Sequence, residues 1–130
     1  MKRLQKFPII FGVVCGIGMF AQWTLFIVTG QVPELQTEPY RIAFHLAAEG
    51  FTALGLIISS IILLKQPHTG KILYAIACGM LLYSVIVSPG YFAQLGQWEF
   101  VAMFAVLFIL AILSLFELFY TTDRNLNEKA

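Results

Sequence analysis

Four long apolar runs, separated by short polar or turn-rich segments, dominate the chain. They cover residues 7–29, 40–64, 72–95 and 98–120. A helix needs about 20 apolar residues to cross the hydrocarbon core of a bilayer, where backbone groups find no water and have to bond within the helix. The pattern therefore predicts an all-α membrane protein with four transmembrane helices, in a single domain spanning residues 1–130.

The segments between the runs are short. The first, residues 30–39, contains Pro33 and Pro39, and the others are residues 65–71 and 96–97. Short connections make consecutive helices antiparallel neighbours. We therefore expect an up-down-up-down four-helix bundle.

The composition indicates that the lipid bilayer, rather than water, covers most of the protein's surface. Hydrophobic residues make up 59% of the chain and charged residues 12%, whereas a soluble domain carries roughly 25% charged residues. The net charge of +1 provides no basic field for binding nucleic acid. The first run is much longer than the roughly 7–15 apolar residues of a signal peptide, so we expect it to be retained.

The basic residues are distributed unevenly between the two ends of the predicted bundle. One end carries Lys2, Arg3, Lys6, Lys65, Lys71, Arg124 and Lys129. The other end carries only Arg41, close to Glu34 and Glu38. Because cytoplasmic segments are enriched in lysine and arginine, we expect a multi-pass protein of the cell membrane with both termini in the cytoplasm.

Two stripes of polar side chains lie within the second and third runs. His45 and Glu49 are four residues apart and share one helix face, while Ser84, Ser88 and Tyr91 repeat at helical spacing. At 1.5 Å per residue, Glu49 lies about 13 Å from the outer end of its run. Because unbonded polar groups are costly in hydrocarbon, both stripes are predicted to face inward, toward each other. The inner half of the bundle is predicted to be nearly featureless, with mainly leucine, isoleucine, alanine and glycine.

These stripes define the candidate ligand-binding residues. Gln22 lies about 10 Å below the outer end of the first run, and Trp23 follows it. The predicted set is Gln22, Trp23, His45, Glu49, Ser88 and Tyr91. Pro89 deprives the carbonyl of Val85 of its helical donor, so we expect a bend that opens a cavity beside this set.

Glu49 is the most informative of these residues, because a carboxyl group so deep in a membrane needs a partner. Three states are open: a neutral carboxyl group, an ion pair with His45, and contact with a cation or polar ligand. In a purely structural alternative, neutral Glu49 bonds His45 and Gln22 and joins helices.

The residues leave the cofactor undetermined and assign no metal ligand. A metal held by His45 and Glu49 would need a third ligand, for which Glu99 or Met103 is available, but catalytic zinc usually takes more than one histidine. A haem with His45 and either Met19 or Met103 as axial ligands is a further alternative.

The stretch His45-Leu46-Ala47-Ala48-Glu49-Gly50 resembles the H-x-x-x-E-G stretch of the emopamil-binding sterol isomerases. In that family the histidine and the glutamate transfer protons to a sterol in a lipophilic cavity. The resemblance implies the same roles for His45 and Glu49. It covers six residues of 130, and the other acidic site residues and the cavity tryptophan of that family have no counterparts here.

Four functions are compatible with the pattern. We favour a binding module for a lipid, quinone or sterol-like molecule, with aromatic side chains around an outer-half cavity: Trp23, Phe44, Phe51, Tyr83, Phe92 and Phe104. The alternatives are a non-catalytic subunit of a larger membrane complex, a small proton-coupled transporter using Glu49, and an intramembrane acid–base enzyme. Small multidrug exporters also have a buried glutamate, but theirs lies in the first helix. A protein without catalytic activity is favoured over an enzyme.

Gly12 and Gly16 form a GxxxG motif in the first run. Small residues at this spacing allow two helices to approach closely in a membrane. We predict a contact inside the bundle, and homo-oligomerisation through this motif is the alternative.

Overall fold

Helices make up nearly all of the described chain. The structure, a computed structural model, describes the backbone of residues 6–129 and the side chains of residues 6–120. Its helices are α1 (Lys6–Val28), α2 (Glu34–Thr37), α3 (Pro39–Lys65), α4 (Pro67–Gln94) and α5 (Trp98–Lys129). The predicted all-α class is therefore confirmed.

Four of these helices are long and apolar enough to cross a membrane, namely α1, α3, α4 and the Trp98–Tyr120 part of α5. Large apolar side chains cover the outside of the bundle; Phe44, for example, is 78% exposed. An apolar exterior is costly in water and favourable in lipid. The architecture is that of a multi-pass membrane protein.

The connection predicted over residues 65–71 is wrong, because only Gln66 separates α3 from α4. Pro67 occupies the first turn of α4, where its missing N–H group costs no helical hydrogen bond. Gly70 lies directly against the backbone of Leu63, so a side chain there would not fit. This glycine allows the two helices to meet after a single residue.

The four long helices form a ring in which α3 contacts α1 and α4, and α5 contacts α4 and α1. At the end that carries α2 and the α4–α5 connection, called here the loop end, the ring of Trp23 lies 5.5 Å from that of His45. At the opposite end, called the basic end, the Tyr74 hydroxyl donates a hydrogen bond to the carbonyl of Pro8. Lys6, Lys65 and Lys71 belong to the basic end, whereas Lys2 and Arg3 and the side chains of Arg124 and Lys129 lie outside the described residues.

Gly12 and Gly16 are buried where α1 meets α3. A Cβ atom added at Gly16 would lie 2.7 Å from the carbonyl oxygen of Ala53 and 2.6 Å from Cγ1 of Ile57. The predicted contact inside the bundle is therefore confirmed. Dimerisation through this motif stays an untested alternative, although α3 covers both glycines.

The basic end is richer in polar groups than predicted. Tyr74 is fully buried, and its hydroxyl lies 2.8 Å from the Pro8 carbonyl oxygen. The hydroxyl groups of Ser60 and Ser114 are buried as well and bond carbonyls of their own helices, and the Cys78 sulfur lies 3.8 Å from the Ser114 hydroxyl. The expectation of a featureless inner half is therefore wrong. These polar side chains are tolerated there because each of them has a protein partner, which avoids the cost of unbonded polar groups in lipid.

Candidate ligand-binding site

A hydrogen bond between Glu49 and Ser84 joins α3 to α4 near the loop end. The Ser84 hydroxyl donates to Oε1 of Glu49 over 2.5 Å. Both residues are buried, each with 9% of its surface exposed. The two polar stripes therefore face each other, as their helical spacing predicts.

His45 contacts Trp23 of α1 and does not bond Glu49. Its ring meets that of Trp23 edge-on, with 70° between the ring planes. Within residues 6–120, His45 forms no hydrogen bond or ion pair with another protein group. The reading in which Glu49 bonds His45 and Gln22 is therefore wrong, since Ser84 is the partner and the imidazole packs on an indole.

A cavity of about 780 Å³ lies between the helices at the loop end. All of the predicted site residues line it: Gln22, Trp23, His45, Glu49, Ser88 and Tyr91. Ligand sites in proteins are typically about 300–1,000 Å³ in volume and mainly apolar, with a few convergent polar groups. The cavity has this size and composition.

An aromatic cluster from α1, α4 and α5 contributes Phe26, Phe92 and Phe104 to the cavity wall and also contains Phe100, which does not line the cavity. The rings of Phe92 and Phe100 stack with centroids 4.6 Å apart, and Phe104 lies 5.8 Å from Phe92. Phe26 approaches Phe92 and Phe100 at 6.3 and 6.2 Å. Such ring pairs give an apolar surface of fixed shape.

Charged side chains surround the part of the cavity nearest the α1–α3 connection. Glu34, Glu38 and Arg41 all line it. Arg41 and Glu38 form an ion pair with an N–O distance of 3.4 Å, and both are largely exposed. Solvent screening makes such an exposed pair weak, and its exposure marks where the cavity reaches the surface.

A family model described as Domain of unknown function (DUF8058) matches residues 2–130. The chain belongs to this family. No curated protein and no solved structure matches it.

In this member of the family, three of the aromatic residues considered for the cavity lie elsewhere. Phe44, Phe51 and Tyr83 are 78, 68 and 71% exposed and point away from the bundle. Their helices place them opposite the stripes that carry Glu49 and Ser84, on the surface that lipid would cover. Counting aromatic residues along a helix does not separate these two faces.

Phe26 is a cavity residue that the sequence interpretation missed. It follows Gln22 by four residues and Trp23 by three, which places all three side chains on one face of α1. That spacing would have identified Phe26. Glu34 and Glu38 were missed as site residues because they belong to the turn-rich segment, whose path helical periodicity does not predict.

Pro89 lies inside α4, which continues through it to Gln94. Ser88 and Gly90 on either side of it line the cavity. The bend expected at Pro89 stays a prediction.

The described residues contain no group of three or more histidine, cysteine, aspartate or glutamate side chains able to hold a metal ion. Glu99 and Met103, considered as third ligands beside His45 and Glu49, do not line the cavity. The resemblance to the sterol isomerases remains confined to the stretch from His45 to Gly50. Both of its named residues line the cavity, although they do not bond each other.

Proposed function

We propose that this protein binds a small amphipathic molecule in the loop-end cavity around His45 and Glu49. The observation that carries the proposal is the convergence of polar residues from α1, α3 and α4 on one cavity of about 780 Å³. Apart from these residues and the charged side chains of Glu34, Glu38 and Arg41, the wall is mainly apolar and aromatic. A lipid, a quinone or a sterol-like molecule combines an apolar body with a polar head. The apolar part of the wall would contact the body, and the polar residues would contact the head.

The cost of leaving the polar groups unbonded supports the same conclusion. A buried polar group without a hydrogen bond costs roughly 1–3 kcal/mol by protein mutational data. Oε2 of Glu49, which is buried, accepts no hydrogen bond from a protein group within residues 6–120, and the imidazole of the half-buried His45 forms none either. A polar ligand head, or water in its absence, would supply the missing bonds.

A proton-coupled transporter is the second candidate, favoured by Glu49 alone. Intramembrane carboxyl groups serve as proton sites in pumps and transporters. Glu49 lines a cavity that also includes exposed residues, which gives it a path to the surface. Assembly into a homo-oligomer or a larger membrane complex is compatible with either candidate.

We further propose an up-down-up-down bundle in the cell membrane with both termini in the cytoplasm. Contacts between consecutive long helices pair the start of one with the end of the other, as Gly12 with Ser60 and Lys71 with Phe119 illustrate. The basic residues concentrate at the end opposite the cavity, and the positive-inside rule assigns that end to the cytoplasm.

Cysteine labelling tests this orientation. Gln36 and His68 are exposed at opposite ends of the bundle, and the native Cys15 and Cys78 are buried. A membrane-impermeant maleimide is expected to label Gln36→Cys in intact cells, and His68→Cys only after permeabilisation. The unsubstituted protein is the control for reaction at the native cysteines. The reversed pattern would contradict the orientation.

A density map of the wild-type protein, purified from its native membrane, tests the binding function. We expect density that is not protein between α1, α3 and α4, in contact with Trp23 and Glu49. A cavity closed by its own side chains, or filled only with water, would count against a ligand.

A further inference from the structure

The charges around the cavity do not balance. Three carboxyl groups line it, those of Glu34, Glu38 and Glu49, against one guanidinium group, that of Arg41. Arg41 already pairs with Glu38. Within the described residues Glu34 and Glu49 have no basic partner in an ion pair, so the lining carries an excess of acidic groups.

Glu49 is the acidic group at the greatest depth in this lining. A carboxylate can accept about four hydrogen bonds through its two oxygens, yet the described protein provides one donor, the Ser84 hydroxyl. With 9% of its surface exposed, Glu49 has little access to bulk water. Placing an unpaired carboxylate in such a site is costly unless a positive group accompanies it.

The aromatic surroundings also suit a positive group. Trp23 lines the cavity beside His45, and Phe26 and Phe92 follow toward the loop end. Aromatic ring faces attract an ammonium group through their quadrupole, and indole does so most strongly. Methylene groups of the same ligand would pack on the phenylalanine rings.

We propose that the ligand class is an amine-headed amphiphile, whose ammonium group pairs with Glu49 and whose apolar tail lies along the aromatic wall. The inference rests on the proposed function, because it assigns the head group of the molecule that the cavity binds. A carboxylate-headed amphiphile with the same tail is rejected, because it would meet Glu34 and Glu49 while Arg41, the one arginine of the lining, is already paired with Glu38.

Trp23 offers a readout that belongs to the cavity. The chain has two tryptophans, and Trp98 is exposed outside the cavity. In a Trp98→Phe background, Trp23 is the remaining tryptophan. Quenching of its fluorescence by a brominated tail then reports occupancy of the cavity.

The probes are bromoundecylamine, bromoundecanol and bromoundecanoate, titrated into the protein in phosphatidylcholine nanodiscs. After correction for partition into protein-free nanodiscs, the amine is expected to bind at least about tenfold more tightly than the alcohol, since a charge-assisted hydrogen bond exceeds a neutral one. Bromoundecanoate is expected to bind at least about tenfold more weakly than the alcohol. This comparison requires no substitution at Glu49.

Glu49→Gln keeps an acceptor for Ser84 and is expected to lower the preference for the amine over the alcohol by about tenfold. Glu49→Asp keeps the charge and is expected to retain part of that preference. Glu99→Gln is the matched control, because it removes an exposed carboxylate at the same end of the bundle but outside the cavity.

The outcomes separate this inference from the function on which it rests. Equal affinity for amine and alcohol, or an unchanged preference in Glu49→Gln, would overturn the amine assignment while binding itself stands. Failure of all the probes to quench Trp23 beyond the protein-free correction would count against the binding function itself.

Discussion

Gly16→Leu is expected to destabilise the bundle by about 3 kcal/mol, at the upper end of the range for overpacked sites. Position 16 has no room for a side chain, because even a Cβ atom would lie 2.7 Å from the carbonyl oxygen of Ala53. A backbone carbonyl cannot rotate away as a side chain can, so α1 would have to move off α3. Unfolding by sodium dodecyl sulfate in mixed micelles, followed by circular dichroism, measures the loss.

Gly18→Leu is the matched control for this change. It lies on the same helix and is exposed, with no atom within 4 Å of an added Cβ. Both substitutions replace glycine by a better helix former, so their difference isolates the contact with α3. Equal stability of the two variants would contradict the packing of α1 on α3.

The helices were predictable because lipid leaves the backbone few choices. Length and apolar composition fix a spanning helix once no water is available to its N–H and C=O groups. The exact junctions were less predictable. Residues 65–71 contain proline, glycine and polar residues and therefore read as a loop, yet Pro67 starts α4 and Gly70 packs on Leu63.

The candidate site was predictable where helical periodicity sets the geometry. The spacing of His45 and Glu49 predicts that they share one face of α3. The spacing of Ser84 and Ser88 predicts that they share the face of α4 opposite it. Rotamer choices across helices were not predictable: nothing in the sequence directs His45 toward Trp23 rather than Glu49. These choices depend on the rotation and separation of the helices, which small residues at their contacts determine.

The basic end shows the same limit. Tyr74 lies within the third apolar run, and nothing in the sequence indicates its partner, a backbone carbonyl in α1 that is 66 positions away. Sequence shows side chains but does not show which main-chain carbonyl a hydroxyl will meet. Hydrogen bonds of this kind appear only when the helices are assembled.

Ser88→Phe is expected to weaken probe binding by at least about tenfold, or 1.4 kcal/mol. Ser88 is half-buried, lines the cavity and follows Ser84 by one helical turn, so a phenyl ring there would occupy space that the ligand needs. Gly79→Phe is the control. It adds a phenyl ring to the same helix at an exposed position with no atom within 4 Å of an added Cβ.

Quenching of Trp23 by bromoundecanol, in the Trp98→Phe background, tests the central claim most directly, because it asks whether a small amphiphile occupies the cavity. We predict saturable quenching in the unsubstituted cavity and in Gly79→Phe, and its loss in Ser88→Phe while circular dichroism shows the helices intact. Identical quenching curves in Ser88→Phe and Gly79→Phe would contradict the claim, since the probe would then reach Trp23 from the surrounding lipid.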